Sequence, residues 1–94
     1  FWTQVGHNPE RILLSRINLE GPWTGWKESD PVEVLRPEYD WEGADQPFEP
    51  SVRSVAYGRL NQLRDPAVFE EDDRIYLLYA VAGESGIAIA EVKL

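Results

Sequence analysis

Alternation of apolar positions is strongest over "RIYLLYAVA", Arg74 to Ala82. In an extended chain Ile75, Leu77, Tyr79 and Val81 fall on one side, and Tyr76, Leu78, Ala80 and Ala82 on the other. A strand apolar on both sides is expected to be covered on both faces. "PAVF" precedes it as another strand-like run, and "EEDDR" between them reads as a tight, Asp-rich hairpin turn. "AGESG" is the next turn, and "IAIAEV", Ile87 to Val92, alternates Ile with small Ala residues. Together these segments predict a three-stranded antiparallel meander.

The first part of the chain reads as a displaced copy. "WTQVGHNPERILLSRI" lies on "YAVAGESGIAIAEV" with Gly6 on Gly83 and Ile12 on Ile87, the first turn being two residues longer. "PVEVLR", Pro31 to Arg36, follows the loop "EGPWTGWKESD", and its leading proline and its charges suit an edge strand. The predicted order is second, third and outer fourth strands of one sheet, then first, second and third strands of the next. Residues 1–36 carry the first set, 37–58 a connecting loop and 59–94 the second, within a single domain. No segment has helical periodicity, so the fold class is all-β.

The loop 37–58 contains the turn formers Pro37, Gly43, Pro47 and Pro50 and five carboxylates. Loops of this length are often functional, and Tyr39, Trp41 and Phe48 lead us to expect this one to pack on something.

Composition narrows the function. Nine basic residues against 17 acidic ones give a net charge of −8, which repels phosphate backbones and anionic membranes, so neither nucleic acid nor a membrane surface is an expected partner. The chain lacks cysteine, which excludes disulfides and thiolate metal sites. No apolar run approaches the ~20 residues needed to span a bilayer, and a soluble chain is expected. The sequence starts at Phe1 and has no methionine, as a processed, trimmed or excerpted chain would.

Two motifs add a resemblance. "LRDPAVFEEDDRIYLLYAVAGESGIAIAEV" resembles a blade of the five-bladed β-propellers of family 43-type glycoside hydrolases, in which an (R/H)DP motif opens the innermost strand. "ILLSRINLEGPW" is similar to their third strand and the turn after it. The resemblance implies about one and a half blades of a propeller. It places Asp65 at the position of the family's inward-pointing aspartate, and so makes it the candidate catalytic carboxylate. A second carboxylate has no matched position, and Glu49 and Glu84 are candidates by location.

Each candidate has a plainer reading. Asp65 before a proline can bond local backbone N–H groups, and Arg64, a candidate to pair with a ligand carboxylate or with Asp65's neighbours, can instead form a structural salt bridge across blades. Asn61 and Gln62 stand where they would meet sugar hydroxyls, and Trp23, Trp26 and Trp41 offer flat apolar faces for sugar rings, although a Trp in "GPW" commonly packs under a blade edge. His7 is the only histidine, too few for a His-based zinc site. Glu38, Asp40, Glu42 and Asp45 alternate without the glycine spacing of a calcium loop and read as a solvated acidic loop. No turn has phosphate-loop spacing, and no cofactor is expected.

The reading that follows is a module without autonomous catalysis that self-associates as a homo-oligomer through exposed sheet edges, with carbohydrate as its expected ligand. Two alternatives remain. One is a glycoside hydrolase-like enzyme with its cleft between subunits. The other is a protein-interaction or carbohydrate-binding module built on the Trp-rich loops.

Overall fold

The computed structural model describes all residues, Phe1 to Leu94. It is all-β, with two antiparallel sheets. The first pairs β1 (Ile12–Leu14) with β2 (Val32–Leu35) and is widened by a bridge from Trp2 to Leu13. The second is the meander β3 (Arg64–Glu71), β4 (Arg74–Val81) and β5 (Gly86–Val92). Two 3-10 turns, Trp23–Gly25 and Asp40–Glu42, lie in the loops.

The meander follows from local chemistry. β3 and β4 are joined by Asp72 and Asp73, with φ of 50° and 61°. A two-residue hairpin whose central residues are both left-handed is a type I′ turn, whose twist matches the flanking strands, and Asp tolerates that conformation better than most residues. The turn is thus tighter than "EEDDR", because Glu71 and Arg74 already pair. At the other end of β4, residues 82–85 connect Val81 to its partner Gly86.

β3 begins with a bulge. Arg64 pairs with Ala80 and Ala67 with Leu78, so Asp65 and Pro66 together face a single β4 residue. Asp65 is left-handed, with φ 52°. Pro66, which has no N–H to donate, falls where the ladder is already interrupted. The bulge also turns Arg64 and Asp65 in different directions: Arg64 is buried and Asp65 is exposed.

The repeat read from the sequence recurs in the pairing. Aligning Gly6 with Gly83 sets Trp2 on Tyr79 and, past the longer turn, Leu13 on Ala88. Trp2 and Leu13 exchange backbone hydrogen bonds of 2.9 and 2.8 Å, and Tyr79 is paired with Ala88. Gly6 and Gly83 both take positive φ, 94° and 78°.

The core lies between the sheets. Ile12 of the first sheet packs with Leu63, Leu77, Tyr79 and Val81, supported by Phe1, Val34, Leu35, Ala88, Ala90 and Val92. Each fully buried aliphatic side chain here contributes about 1.5–3 kcal/mol, but only 16 of the 94 residues are buried, so the core is small.

Cover on both faces of β4 is met on one face only. Leu77, Tyr79 and Val81 are buried, whereas Tyr76, Leu78 and Ala80 are half-buried. Their cross-strand neighbours on that second face include Phe69, Ile87 and Ile89, which are 51%, 80% and 61% exposed. The expected packing of the 37–58 loop also differs in kind. Tyr39, Trp41 and Phe48 are exposed, and the buried groups of this loop are Glu42, Gly43 and Ser51.

Candidate functional site

The RDP segment is held by its first residue. Arg64 is buried, and its guanidinium serves four acceptors from three other parts of the chain. Nε lies 3.4 Å from Glu10 Oε2; Nη1 donates to the Ser54 carbonyl at 3.0 Å and to Glu84 Oε1 at 3.2 Å; Nη2 donates to the Val52 carbonyl at 3.0 Å. Glu10 is itself buried, accepts a 2.7 Å hydrogen bond from the Thr3 hydroxyl, and gives its backbone carbonyl to Leu63 N–H at 2.9 Å. Arg64 thereby joins the N-terminal segment, the 52–54 loop and the β4–β5 turn. The guanidinium suits this task because its donors form a fixed planar fork. Its position matches the plainer reading, a structural ion pair.

Asp65, the neighbour across the bulge, faces a shallow cleft of about 320 Å³ lined also by Ala67, Leu78, Tyr79, Ala80 and Ile87. This is the uncovered face of the second sheet. Asp65 is the only carboxylate of that lining, and the rest is mostly aliphatic. Chemically the cleft offers one anionic hydrogen-bond acceptor beside a flat apolar floor.

The other sequence candidates are not gathered there. Glu84 is tied to Arg64 and accepts from Ala56 N–H at 3.3 Å. Glu49 is exposed and lies outside the cleft. Asn61 and Gln62 are buried rather than open to solvent at a strand mouth. Asn61 donates to the Gln46 carbonyl at 3.1 Å, while Gln62 is engaged through its backbone, donating to Leu60 and accepting from Gly83. The side-chain oxygens of both are buried without a hydrogen-bond partner.

Trp23 is 74% exposed on its 3-10 turn. Trp26 is 42% exposed and donates Nε1–H to the Gly21 carbonyl at 3.3 Å. Trp41 stacks on Tyr39, with centroids 5.4 Å apart and planes 6° from parallel. Within the acidic loop the Glu42 and Asp45 carboxylates have hydrogen-bond partners. Arg59 bonds both carboxylate oxygens of Asp45 at 3.0 and 2.9 Å, which holds that carboxyl below its usual range, and also reaches the Asp40 carbonyl. No group of three or more His, Asp or Glu side chains is arranged to hold a metal ion, and the His7 Nδ1 atom is buried without a partner.

Two carboxylates are buried against expectation: Glu10, which a reading of the sequence passes over, and Glu42, which it places in a solvated acidic loop. Glu42 accepts backbone N–H bonds from Glu38 and Tyr39 at 3.0 and 3.2 Å and the Tyr79 hydroxyl at 3.2 Å. Gly43 follows it in a left-handed conformation and is pressed so close to the Leu60 carbonyl that a Cβ would lie 2.0 Å from it. "YDWEG" does carry a signal for this: a glutamate that reaches back to the start of a short helical turn, then a glycine to end it. Nothing local marks Glu10.

No family model matches the chain, and no solved structure matches it. It is 46% identical over 93 residues to "Uncharacterized protein R118" of Acanthamoeba polyphaga mimivirus. That alignment takes in 98% of this chain and 26% of the viral protein, so the chain spans about a quarter of that relative's length. No helix of the structure is long and apolar enough to cross a membrane.

The Tyr79–Glu42 contact has a pH signature. Burial, reinforced by the Glu42 charge and hydrogen bond, pushes the Tyr79 hydroxyl up to about 12. The unfolded chain ionises this tyrosine near pH about 10, so the stabilisation is complete below that pH and is lost as pH rises towards about 12. Tyr79→Phe leaves the buried Glu42 one donor short and is expected to cost about 1–3 kcal/mol at neutral pH. In urea melts across the alkaline range, the gap between wild type and variant narrows as pH rises through this window. Parallel curves would contradict the assignment.

Proposed function

We propose that this chain is a non-catalytic, propeller-type module that self-associates through the exposed edges of its second sheet. The observation that carries the reading is the sheet order. In β3-β4-β5 the middle strand is paired on both sides, and β3 and β5 each keep one unpaired edge. Open edges with apolar neighbours are liabilities that proteins cover, and a core of this size gains from any further burial. The resemblance of the RDP and GPW segments to propeller glycoside hydrolases supports the same reading, as does the recurrence of one pairing register in both sheets.

The lack of catalysis rests on the cleft. Glycoside hydrolysis normally uses two carboxylates, about 5–5.5 Å apart for retention or about 6.5–9.5 Å for inversion. Asp65 is alone in its cleft, and Glu84 neutralises Arg64. A single carboxylate beside aliphatic side chains instead suits recognition: the anion accepts sugar hydroxyls while the apolar floor lies against the C–H face of a ring. We therefore assign the cleft a carbohydrate ligand held by Asp65.

Sedimentation equilibrium from low micromolar concentration upward is expected to give at least twice the chain mass, and a monomer throughout would remove self-association. For the cleft, titration with neutral mono- and oligosaccharides should move the amide NMR signals of Ala67, Ala80 and Ile87. Asp65→Asn should raise Kd about tenfold or more, since a hydrogen bond to a charged group is worth about 1.5–3 kcal/mol. Saccharide binding unchanged by Asp65→Asn, or absent from the wild type, would remove the ligand assignment.

A further inference from the structure

The internal repeat identifies which surface is left without its partner. Within the chain the first sheet meets the second through Ile12, which is 0% exposed and packs with Leu77, Tyr79 and Val81. Its counterpart in the second sheet, Ile87, is 80% exposed. Ile87 pairs with Ala80 and so shares the open face, opposite the one that carries Leu77 and Tyr79. The face by which the first sheet stacks is therefore the face that the second sheet leaves open.

The converse holds at the other end of the molecule. The face of the second sheet that receives Ile12 carries the pair Tyr79 and Ala88. Their counterparts in the first sheet are Trp2 and Leu13. Leu13 is buried without belonging to the core cluster around Ile12. Trp2 borders a groove of about 380 Å³ lined by Phe1, Ser15, Ile17 and Glu28. Leu13 itself is covered, and what this end presents is the groove beside Trp2, where Ile17 is 51% exposed.

We propose that a second copy of this chain stacks head to tail, the open Ile87 face of one copy lying on the Trp2 groove of the next and repeating the sheet contact already made inside each chain. This inference rests on the self-association reading and moves its contact from the open sheet edges to one pair of faces. Because the two surfaces differ, the contact is heterologous and gives a closed ring or an open filament according to the rotation per copy. The open face includes the Asp65 cleft, so a saccharide bound there competes with the stacked copy. Each chain carries a net charge of −8, and Asp65 and Glu28 border the two surfaces, so added salt should strengthen association by screening their repulsion.

The test uses two exposed positions whose substitution leaves the core untouched, Ile87→Glu on the open face and Ile17→Glu in the groove. Circular dichroism confirms that each variant is folded, and sedimentation reads the mass. Each variant alone should be monomeric, and an equimolar mixture should form a capped pair of two chains, because each variant keeps one intact surface. If Ile17→Glu or Ile87→Glu assembles as the wild type does, the stacking is wrong while edge pairing survives. Two monomeric variants that fail to pair when mixed also overturn it. A monomeric wild type overturns both this inference and the self-association on which it rests.

Discussion

A guanidinium buried to 6% exposure is tolerable only if its charge is balanced and its N–H groups are occupied, and the rest of this structure is arranged around meeting that condition for Arg64. Removing such a group from water costs several kcal/mol. Glu10, Glu84 and the carbonyls of Val52 and Ser54 meet it from three segments that share no continuous secondary structure. The N-terminal segment, the long loop and the β4–β5 turn each bring an acceptor to one cation, and backbone bonds such as Leu63 N–H to Glu10 and Gly83 N–H to Gln62 hold them beside it. The apolar core, five buried residues with a partly buried rim, is too small to fix those segments by burial alone.

The same constraint explains the RDP segment. Turning Arg64 inward while β3 continues requires the bulge, the bulge puts Asp65 at φ 52°, and that conformation aims a carboxylate outward next to aliphatic side chains. Pro66 is compatible because the interrupted ladder needs no N–H from it. Anchor and presented carboxylate are thus consecutive residues with opposite fates. Glu42 anchors in the same way on a smaller scale, gathering two backbone N–H groups and the Tyr79 hydroxyl and so holding the loop onto the inner face of β4.

Much of the fold was legible because it is local. Alternation over Arg74–Val81, the Asp-Asp turn and the Ile–Ala alternation of β5 each encode their own geometry, and the match of Gly6 to Gly83 anticipated a shared pairing register. Burial was less legible. Asn61 and Gln62 read as strand-mouth amides and are buried; Tyr39, Trp41 and Phe48 read as loop anchors and are exposed. Asn61 is buried through a partner 15 residues away, the Gln46 carbonyl, whereas Trp41 finds its partner locally in Tyr39 and stays at the surface; composition records neither. Glu10 is the clearest instance, since its partner Arg64 lies 54 residues away. The second face of β4 reads as covered because it is apolar, yet Phe69, Ile87 and Ile89 on it stay exposed; the alternation records apolarity, not what lies against it.

The most direct test of the central claim is the unfolding free energy of Arg64→Ala, measured by urea denaturation at one fixed protein concentration, alongside Glu10→Gln and the double variant. With Arg64 acting as the common anchor, its loss should cost about 3–5 kcal/mol, the range for breaking a buried pair and stranding its partner, or should prevent folding altogether. The double variant should then cost clearly less than the sum of the two single ones, because neutralising Glu10 removes the stranded charge. A loss below about 1 kcal/mol for Arg64→Ala, the level of an exposed ion pair, would contradict the account.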